Sequence, residues 1–313
     1  MAKILILGAL VSLGGCASIG IPTSGPSSDA INSGQPTEPD GLPYALVNLT
    51  PKNVATLIKY EPRGLAGSFT DRRPPTEIKF GVGDVLTVTV FEAAAGGLFI
   101  PKEAGVRPGN YVQLPNETID NNGYITVPYA GQIKAAGRTS VQVQRDIIDR
   151  IKNKAIEPQV IVDLAKQNTS LISVIGEVNA PVRYPAAASG AGDRILDAIT
   201  RAGGIKDKGY NTWVMLDRHG RRASVPFENL LTQPANNIYV QPGDRIYVFD
   251  QPQKFMALGA TGKTGEFNFD AWRINLAEAV SKAGGLLDSS AEPDAVYIYR
   301  AEPRDVAEKL GAD

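Results

Sequence analysis

The chain of 313 residues contains an internal repeat in its second half. Residues 195–205 read ILDAITRAGGI and residues 276–286 read LAEAVSKAGGL, so the two segments lie 81 residues apart. In each copy, apolar residues recur at helical spacing, and a Gly-Gly pair follows whose first glycine suits the left-handed conformation that ends many helices. A repeat of this kind predicts one supersecondary unit that is folded twice.

The segments that flank the two helices are also alike. A short apolar run and a glycine turn precede each helix, with Gly176-Glu177 in the first copy and Gly259-Ala260 in the second. Another apolar run follows each helix, at residues 213–216 and 296–299. The order strand, turn, strand, helix, strand is therefore expected in both copies.

The first copy continues further than the second. It contains the turn Gln241-Pro242-Gly243-Asp244 and then the predicted strand Arg245 to Phe249. Adding the offset places the matching turn and strand beyond Asp313, where the sequence ends. We therefore expect the second copy to be truncated, without its last strand.

An earlier stretch combines strand and helix signals. Residues 79–91, KFGVGDVLTVTVF, place a Gly-x-Gly-Asp turn before an alternating strand. Asn122-Gly123 is typical of a type I′ turn and leads into a strand at 124–127. Thr139 or Ser140 can cap a helix, and a strand is expected from Val160 to Leu164. One face of the helix is apolar: Val143, Ile147, Ile148 and Ile151.

The amino terminus reads as an export signal. Lys3 provides the positive charge, residues 4–11 are apolar, and Leu13-Gly14-Gly15 resembles a small-residue cleavage site. The next residue, Cys16, is the only cysteine of the chain, so it has no internal disulfide partner. LGGC resembles the lipobox of bacterial lipoproteins, which implies that Cys16 carries the acyl chains, and Ala17 after it resembles lipoproteins of the outer membrane. The alternative is an ordinary signal peptide.

The next residues predict little regular structure. Residues 17–41 are rich in Ser, Pro, Gly and Thr, which favours an extended tether. Tyr44 to Leu49 alternates like a strand, and Thr50-Pro51 predicts a helix start. Residues 63–75 are expected to form a loop.

Composition and charge exclude several classes of protein. The formal net charge is −1 and no run of five or more Lys or Arg residues occurs, so a nucleic-acid-binding role is disfavoured. The longest apolar run lies within residues 4–13, shorter than the roughly 18–20 residues of a membrane-spanning helix. Helical patterns interrupt the predicted strands, which disfavours a porin-type barrel.

Four motifs in order carry a resemblance to a known family: GVGDVLTVTV, NGYITVPYAGQI, AGRTS with its helix, and EPQVIVDL. This order resembles the export domain of Wza-like outer-membrane polysaccharide export lipoproteins. The start CASIGIPTSGPS looks like that of capsule export lipoproteins in ABC-transporter-dependent systems. The repeat resembles the β-grasp modules called SLBB that follow the export domain in that family.

The resemblance implies a modular α+β fold, in which an export domain precedes two β-grasp modules. The expected divisions are a signal peptide at 1–15, a lipidated tether at 16–43, an extension at 44–75, an export domain at 76–168, a first SLBB module at 169–252 and a second, incomplete one at 253–313. Family members also carry a carboxyl-terminal amphipathic helix, for which we find no candidate. Membrane contact is therefore expected to depend on the lipid alone.

The implied function is passive export of capsular polysaccharide. The resemblance implies a ring of about eight copies, held in the outer membrane by its lipids with most of its mass in the periplasm, and working with an inner-membrane co-polymerase and an ABC exporter. No cofactor, metal or enzymatic activity is expected. The alternatives are a lipid-anchored carbohydrate-binding or scaffold protein without a pore, and an envelope enzyme such as a polysaccharide lyase.

Two segments suggest chemistry that we do not assign to them. Residues 259–264, GATGKT, look like the end of a phosphate-binding loop, but Ala257 stands where that loop needs glycine and a strand pattern follows. His219 is the only histidine and lies in a polar turn, without the second ligand that a zinc site needs.

Gly and Asp residues in turns form the last group of candidates. Asp84 and Asp244 belong to separate modules, so we expect them to stabilise turns rather than to act as a glycosidase pair. Glycines at the same turns and at the ends of the repeat helices are predicted to have the same structural role: Gly81, Gly83, Gly203, Gly204, Gly243, Gly284 and Gly285.

Overall fold

The computed structural model describes residues 28–33, 44–60, 64–70, 73–74, 78–94, 96–100, 110–186 and 192–311. The predicted signal peptide and Cys16 lie outside these residues. The helices are α1 Ser28–Asn32, α2 Pro51–Lys59, α3 Gly64–Ser68, α4 Ser140–Ile151, α5 Ile195–Arg201, α6 Phe227–Thr232, α7 Leu276–Lys282 and α8 Arg304–Leu310, with a 3₁₀ turn at Pro234–Asn236. The strands are β1 Val85–Phe91, β2 Tyr111–Gln113, β3 Glu117–Thr118, β4 Tyr124–Val127, β5 Gly131–Lys134, β6 Gln159–Lys166, β7 Leu171–Gly176, β8 Val182–Pro185, β9 Thr212–Arg218, β10 Arg221–Pro226, β11 Arg245–Asp250, β12 Lys254–Ala257 and β13 Gly265–Asn268.

The chain divides into two compact bodies. The larger body comprises residues 61–253 together with 270–272, and the smaller body comprises residues 1–60, 254–269 and 273–313. The larger body contains both the expected export domain and the first β-grasp module.

The export domain is built around β1. Residues of β1 are alternately buried and half-buried, and β6 pairs with β1 antiparallel along its whole length. On the other side of β1, β2 and β3 pair with its two ends. Helix α4 packs against β6 and contributes Val143, Ile147 and Ile151, all fully buried, as the sequence pattern predicts. Thr139 is its N-cap and forms a capping box with Gln142.

The first β-grasp module has a five-stranded sheet of order β10-β9-β11-β7-β8. β11 runs parallel to β7, and the other neighbours are antiparallel. Apolar residues of the sheet pack in one cluster with those of α5 and α6. The mixed architecture of this module and the export domain confirms the predicted α+β class.

Residues that precede the export domain complete the core of the module that follows it. Leu65 and Phe69 are buried in the same cluster as Ile172 and Val248, and Ile78 joins them from the start of the export domain. The predicted loop at 63–75 therefore contains helix α3, which the sequence pattern missed because the helix has only five residues.

The smaller body has less regular structure than its sequence predicts. β12 and β13 form an antiparallel pair, and Thr50 caps α2 as predicted. The predicted strands Tyr44 to Leu49 and 296–299 are wrong, because neither segment forms a ladder with any described residue. Alternation alone does not make a strand when no partner backbone lies beside it.

Two helices of the smaller body were not predicted. Helix α1 lies within the expected tether, and Tyr44 donates to the carbonyl oxygen of Ile31 in it over 2.9 Å. Helix α8 contacts α2 and buries Val306. Among the described residues no helix is long and apolar enough to cross a bilayer.

Candidate functional site

Asp84 links the first turn of the export domain to residues 168 and 169, where that domain joins the first β-grasp module. The carboxylate is fully buried, and its Oδ1 accepts hydrogen bonds from the amides of Asn168 and Thr169, both at 2.8 Å. Its Oδ2 accepts from the amide of Gly81 at 2.8 Å and from Thr169 Oγ1 at 2.7 Å. These four donors occupy the acceptor sites of the carboxylate. Gly83 provides the positive φ of the turn, 90°.

Asp244 forms a buried ion pair at the corresponding turn of the first β-grasp module. Arg218 donates to it in a bidentate arrangement, from Nε to Oδ1 at 2.9 Å and from Nη2 to Oδ2 at 2.7 Å. The amide of Gln241 also donates to Oδ2 at 2.7 Å, and Arg218 lies 5.3 Å from the ring centre of Phe69. The aspartate therefore neutralises a buried guanidinium, and Gly243 with φ 89° completes the turn. Sequence reasoning identified the aspartate but not its partner.

Glu92 is a third engaged carboxylate, which the sequence reasoning missed. It is 3% exposed, and its Oε1 accepts from the amides of Leu98 at 2.8 Å and Ile156 at 3.3 Å. Its Oε2 accepts from the amides of Phe99 at 3.0 Å and Ile100 at 3.1 Å. A charged residue directly after the apolar run of β1 was the available signal. The side chain holds two loops against the strand end.

The first repeat helix ends in a hydrogen-bonded clasp. Gly203 and Gly204 have φ of 78° and 81°. The amides of Asn179 and Ala180 donate to the carbonyl oxygens of Gly204 and Ala202 at 3.1 and 2.8 Å. The turn after β7 is thereby fixed to the end of α5.

The second repeat helix ends in the same clasp. Gly284 and Gly285 both have φ of 81°. The amides of Gly262 and Lys263 donate to the carbonyl oxygens of Gly285 and Ala283 at 2.9 and 2.7 Å. These amides belong to the segment that resembles a phosphate-binding loop. Because they donate within the protein, they are not directed at a phosphate.

His219 lies at the tip of the β9–β10 hairpin. It is exposed and has φ of 51°, and Gly220 after it has φ of 81°. Two positive φ values in a two-residue connection are typical of a type I′ turn. Across the ranges that the structure describes, no group of three or more His, Cys, Asp or Glu side chains is arranged to hold a metal ion.

The Gly and Asp positions predicted from the sequence thus lie at separate places in the fold. Asp84 lies where the export domain joins the first β-grasp module, Asp244 lies within that module, and the Gly-Gly pairs lie at two helix ends. Each carboxylate fixes a turn through several donors. Such an arrangement supports the backbone of a scaffold.

Comparisons with known proteins agree with this architecture. A model of the polysaccharide biosynthesis/export protein family matches residues 72–165, and a model of the SLBB domain matches residues 170–248. The chain is 32% identical over 302 residues to the capsule polysaccharide export protein BexD of Haemophilus influenzae, covering 94% of this chain and 76% of the relative.

Two further relatives have similar coverage. The capsule polysaccharide export outer membrane protein CtrA of Neisseria meningitidis serogroup A is 33% identical over 292 residues, which cover 92% of this chain and 74% of the relative. The Vi polysaccharide export protein VexA/TviF of Salmonella typhi is 24% identical over 311 residues, 99% of this chain and 83% of the relative. The chain belongs to the polysaccharide biosynthesis/export protein family, with an SLBB domain after its export domain.

Proposed function

We propose that this protein is a subunit of the outer-membrane channel that exports capsular polysaccharide to the cell surface. The observation that carries the proposal is the similarity to BexD, which extends over 94% of the chain and so includes the export domain and the β-grasp modules together. The name of that relative describes capsule polysaccharide export, and other relatives are named as outer membrane proteins.

Export of a hydrated polymer across a membrane requires a water-filled passage. A hydrated polymer cannot enter hydrocarbon without losing the hydrogen bonds of its polar groups, so it needs a passage lined by protein. A single copy has no described helix that spans a bilayer. A ring of copies, about eight by the family resemblance, can surround an aqueous bore when head-to-tail contacts close under rotation.

The channel is passive in this proposal. The buried carboxylates described above hold turns and loops, and the amides of Gly262 and Lys263 are engaged within the protein. We propose, from the family resemblance, that the energy for transport comes from partners, an ABC exporter and a co-polymerase of the inner membrane. The same proposal holds that the protein is not an enzyme and uses no cofactor.

Membrane attachment is assigned to acyl chains on Cys16. Burial of each CH₂ contributes about 0.8 kcal/mol, and two chains already give stable anchoring. A Cys16→Ser variant is expected to appear in the soluble periplasmic fraction, whereas the wild type stays with outer membranes. Retention of the variant in the membrane would contradict the assignment.

The channel itself is tested by two measurements on the full-length protein. Deletion of the gene should abolish surface capsule, and complementation should restore it. Particles in mild detergent, imaged along their axis, should show a ring with an open centre. Monomeric particles would instead favour the carbohydrate-binding or scaffold alternative, and capsule display without the gene would contradict a role in export.

A further inference from the structure

The sheet of the first β-grasp module has one fully covered face and one partly exposed face. Core-facing residues such as Val214, Leu216 and Ile246 are fully buried beneath α5 and α6. Residues that alternate with them point to the other side of the sheet. There Tyr247 is 43% exposed and Arg245 is exposed. We call this second side the outer face.

One row of the outer face is basic. The strand registers place five residues side by side across all five strands: Arg222, Asp217, Arg245, Ser173 and Arg183. Neighbouring strands lie about 4.8 Å apart, so the row extends over about 19 Å. Three guanidinium groups and a single carboxylate give this row an excess of positive charge.

The three arginines of the row share a single carboxylate, Asp217, and Arg245 lies beside it in the neighbouring strand. Arg222 Nε donates to Asp217 Oδ2 at 3.0 Å, and this hydrogen bond is the main reason that the pKa of Asp217 lies below its usual value. Within the part of the chain that the structure describes, Arg183 and Arg245 make no ion pair. Both residues are exposed, so that their guanidinium groups can donate hydrogen bonds to an anion from solution.

The opposite end of the outer face is aromatic. Trp213 and Phe249 lie side by side in neighbouring strands, and Trp272 approaches Trp213 with ring centres 6.1 Å apart. These two tryptophans are the only ones in the chain. Tyr247 lies between the aromatic end and the basic row, two residues from each along β11.

We propose that the outer face binds an acidic polysaccharide, through carboxylate or phosphate groups on the sugars. Guanidinium groups match the planar geometry of such anions and form paired hydrogen bonds with them. The C–H groups of a sugar ring pack against the faces of aromatic side chains. A row of charge beside a row of rings suits a polymer that carries both features. The inference rests on the proposed function and adds the chemical class of the cargo.

The expected affinity per chain is low. Contacts between exposed charges are individually weak and are screened by salt. Weak contacts agree with transport, because a passage must release what it binds for the polymer to move on. The charge of the chain as a whole, −1, does not indicate this preference, because it sums the charges of every part of the chain.

The test is titration calorimetry of the full-length protein in mild detergent. The probes are oligogalacturonate, which is acidic, and a dextran oligosaccharide of equal length, which is neutral. We expect oligogalacturonate to bind more tightly and to lose affinity as salt is added. Arg183→Gln together with Arg245→Gln should weaken oligogalacturonate binding about tenfold, equivalent to about 1.4 kcal/mol.

Matched variants separate the outer face from general effects of charge and folding. Arg221→Gln removes an exposed arginine that lies opposite Arg218, on the other side of the same sheet, and should leave binding unchanged. Arg245→Lys keeps the charge but loses the paired donors, so its affinity should lie between those of the wild type and the double variant. Tyr247→Thr should weaken binding of the sugar, whereas Tyr247→Phe, which keeps the ring, should not.

Several results would overturn the inference. One is equal affinity for the two probes, and another is unchanged oligogalacturonate binding after the double arginine substitution. A third is a loss of affinity from Arg221→Gln as large as that from the double variant. A change of oligomeric state in the double variant with unchanged probe binding would show that a second copy covers the outer face. Because the capsule phenotype of the gene deletion is measured separately, failure of the channel proposal and failure of this inference are distinguishable.

Discussion

The two copies of the repeat share a local plan and differ in their sheets. In both, a turn after a short strand donates two amides to the carbonyl oxygens at a Gly-Gly helix end. In the first copy the helix α5 packs on five strands and buries Ile195, Ala198 and Ile199. In the second copy α7 has no fully buried residue within the helix, and the described strands form one antiparallel pair.

This difference shows that a short sequence specifies the helix and its end, whereas the sheet depends on strands from distant parts of the chain. The helix, its Asn275–Glu278 capping box and its glycine end depend on residues within a few positions of each other. The sheet depends on strands from distant parts of the chain, and each strand needs a neighbour for its backbone groups. The same local sequence pattern therefore produces a similar clasp in two different surroundings.

The largest expected contrast is in hydrogen exchange. The amides of β9 lie between β10 and β11 and should exchange only on global unfolding, at a cost of about 5 kcal/mol or more. Residues 296–299 form no described ladder, so their amides should exchange almost as fast as in a free peptide. Exchange measured by mass spectrometry checks this. Strong protection of the amides of 296–299 would show that this segment is paired as a strand, as in the first copy.

The next effect concerns the buried ion pair of the first copy. Asp244→Ala leaves the buried guanidinium of Arg218 without its partner and should lower the free energy of unfolding by about 3–5 kcal/mol. Urea unfolding followed by tryptophan fluorescence reports on this body, because Trp213 and Trp272 both belong to it. As a control, Arg218→Met with Asp244→Leu should recover most of the loss. If the double variant is as unstable as Asp244→Ala, the ion pair is not the cause.

A matched pair of glycines probes the turn before each clasp. A Cβ at Gly176 would lie 1.9 Å from the carbonyl oxygen of Val248, whereas a Cβ at Gly259 would meet no atom within 4 Å. Both residues have positive φ, 99° and 86°. Gly176→Ala should therefore cost about 2–5 kcal/mol and Gly259→Ala about 1–2 kcal/mol. Thermal unfolding by circular dichroism compares the two, and equal losses would contradict the difference.

The smallest expected effect concerns the Gly-Gly ends that the two repeat helices share. Gly204 and Gly285 both have φ of 81° and open space around a Cβ. Substitution of either by Ala should cost about 1–2 kcal/mol through backbone strain alone. Local exchange of the amides at each clasp is the measurement, because it reports on both copies alike. A clearly larger loss of stability in one copy would show that its clasp depends on the surrounding sheet.

Sequence reasoning was most successful where a pattern is local. Thr50 with Pro51 predicted one helix start, and Thr139 or Ser140 predicted another. The structure confirms both helices, with Thr139 as the N-cap of the second. The predicted type I′ turn at Asn122-Gly123 is wrong, because Asn122 does not have the positive φ that this turn needs. The Asp120 side chain instead accepts the amides of Asn122 and Tyr124 and closes a different turn.

The contacts that sequence reasoning missed are long-range. The pairing of Asp244 with Arg218 and the donors around Glu92 join segments that only the folded chain brings together. The basic row was missed for the same reason, since its arginines lie on different strands and meet only through the sheet register. Periodicity in one sequence carries no information about such pairings.

The position of the export domain within the chain has a consequence for the order of folding. Phe69 and Ile172 share one core although the whole export domain separates them, and closing such a long flexible loop costs about 4 kcal/mol. The antiparallel pairing of β1 with β6, sealed by Asp84, already brings the two ends of that loop together. An export domain that folds first would thus remove most of this entropic barrier, and the first β-grasp module would assemble around it as a late step.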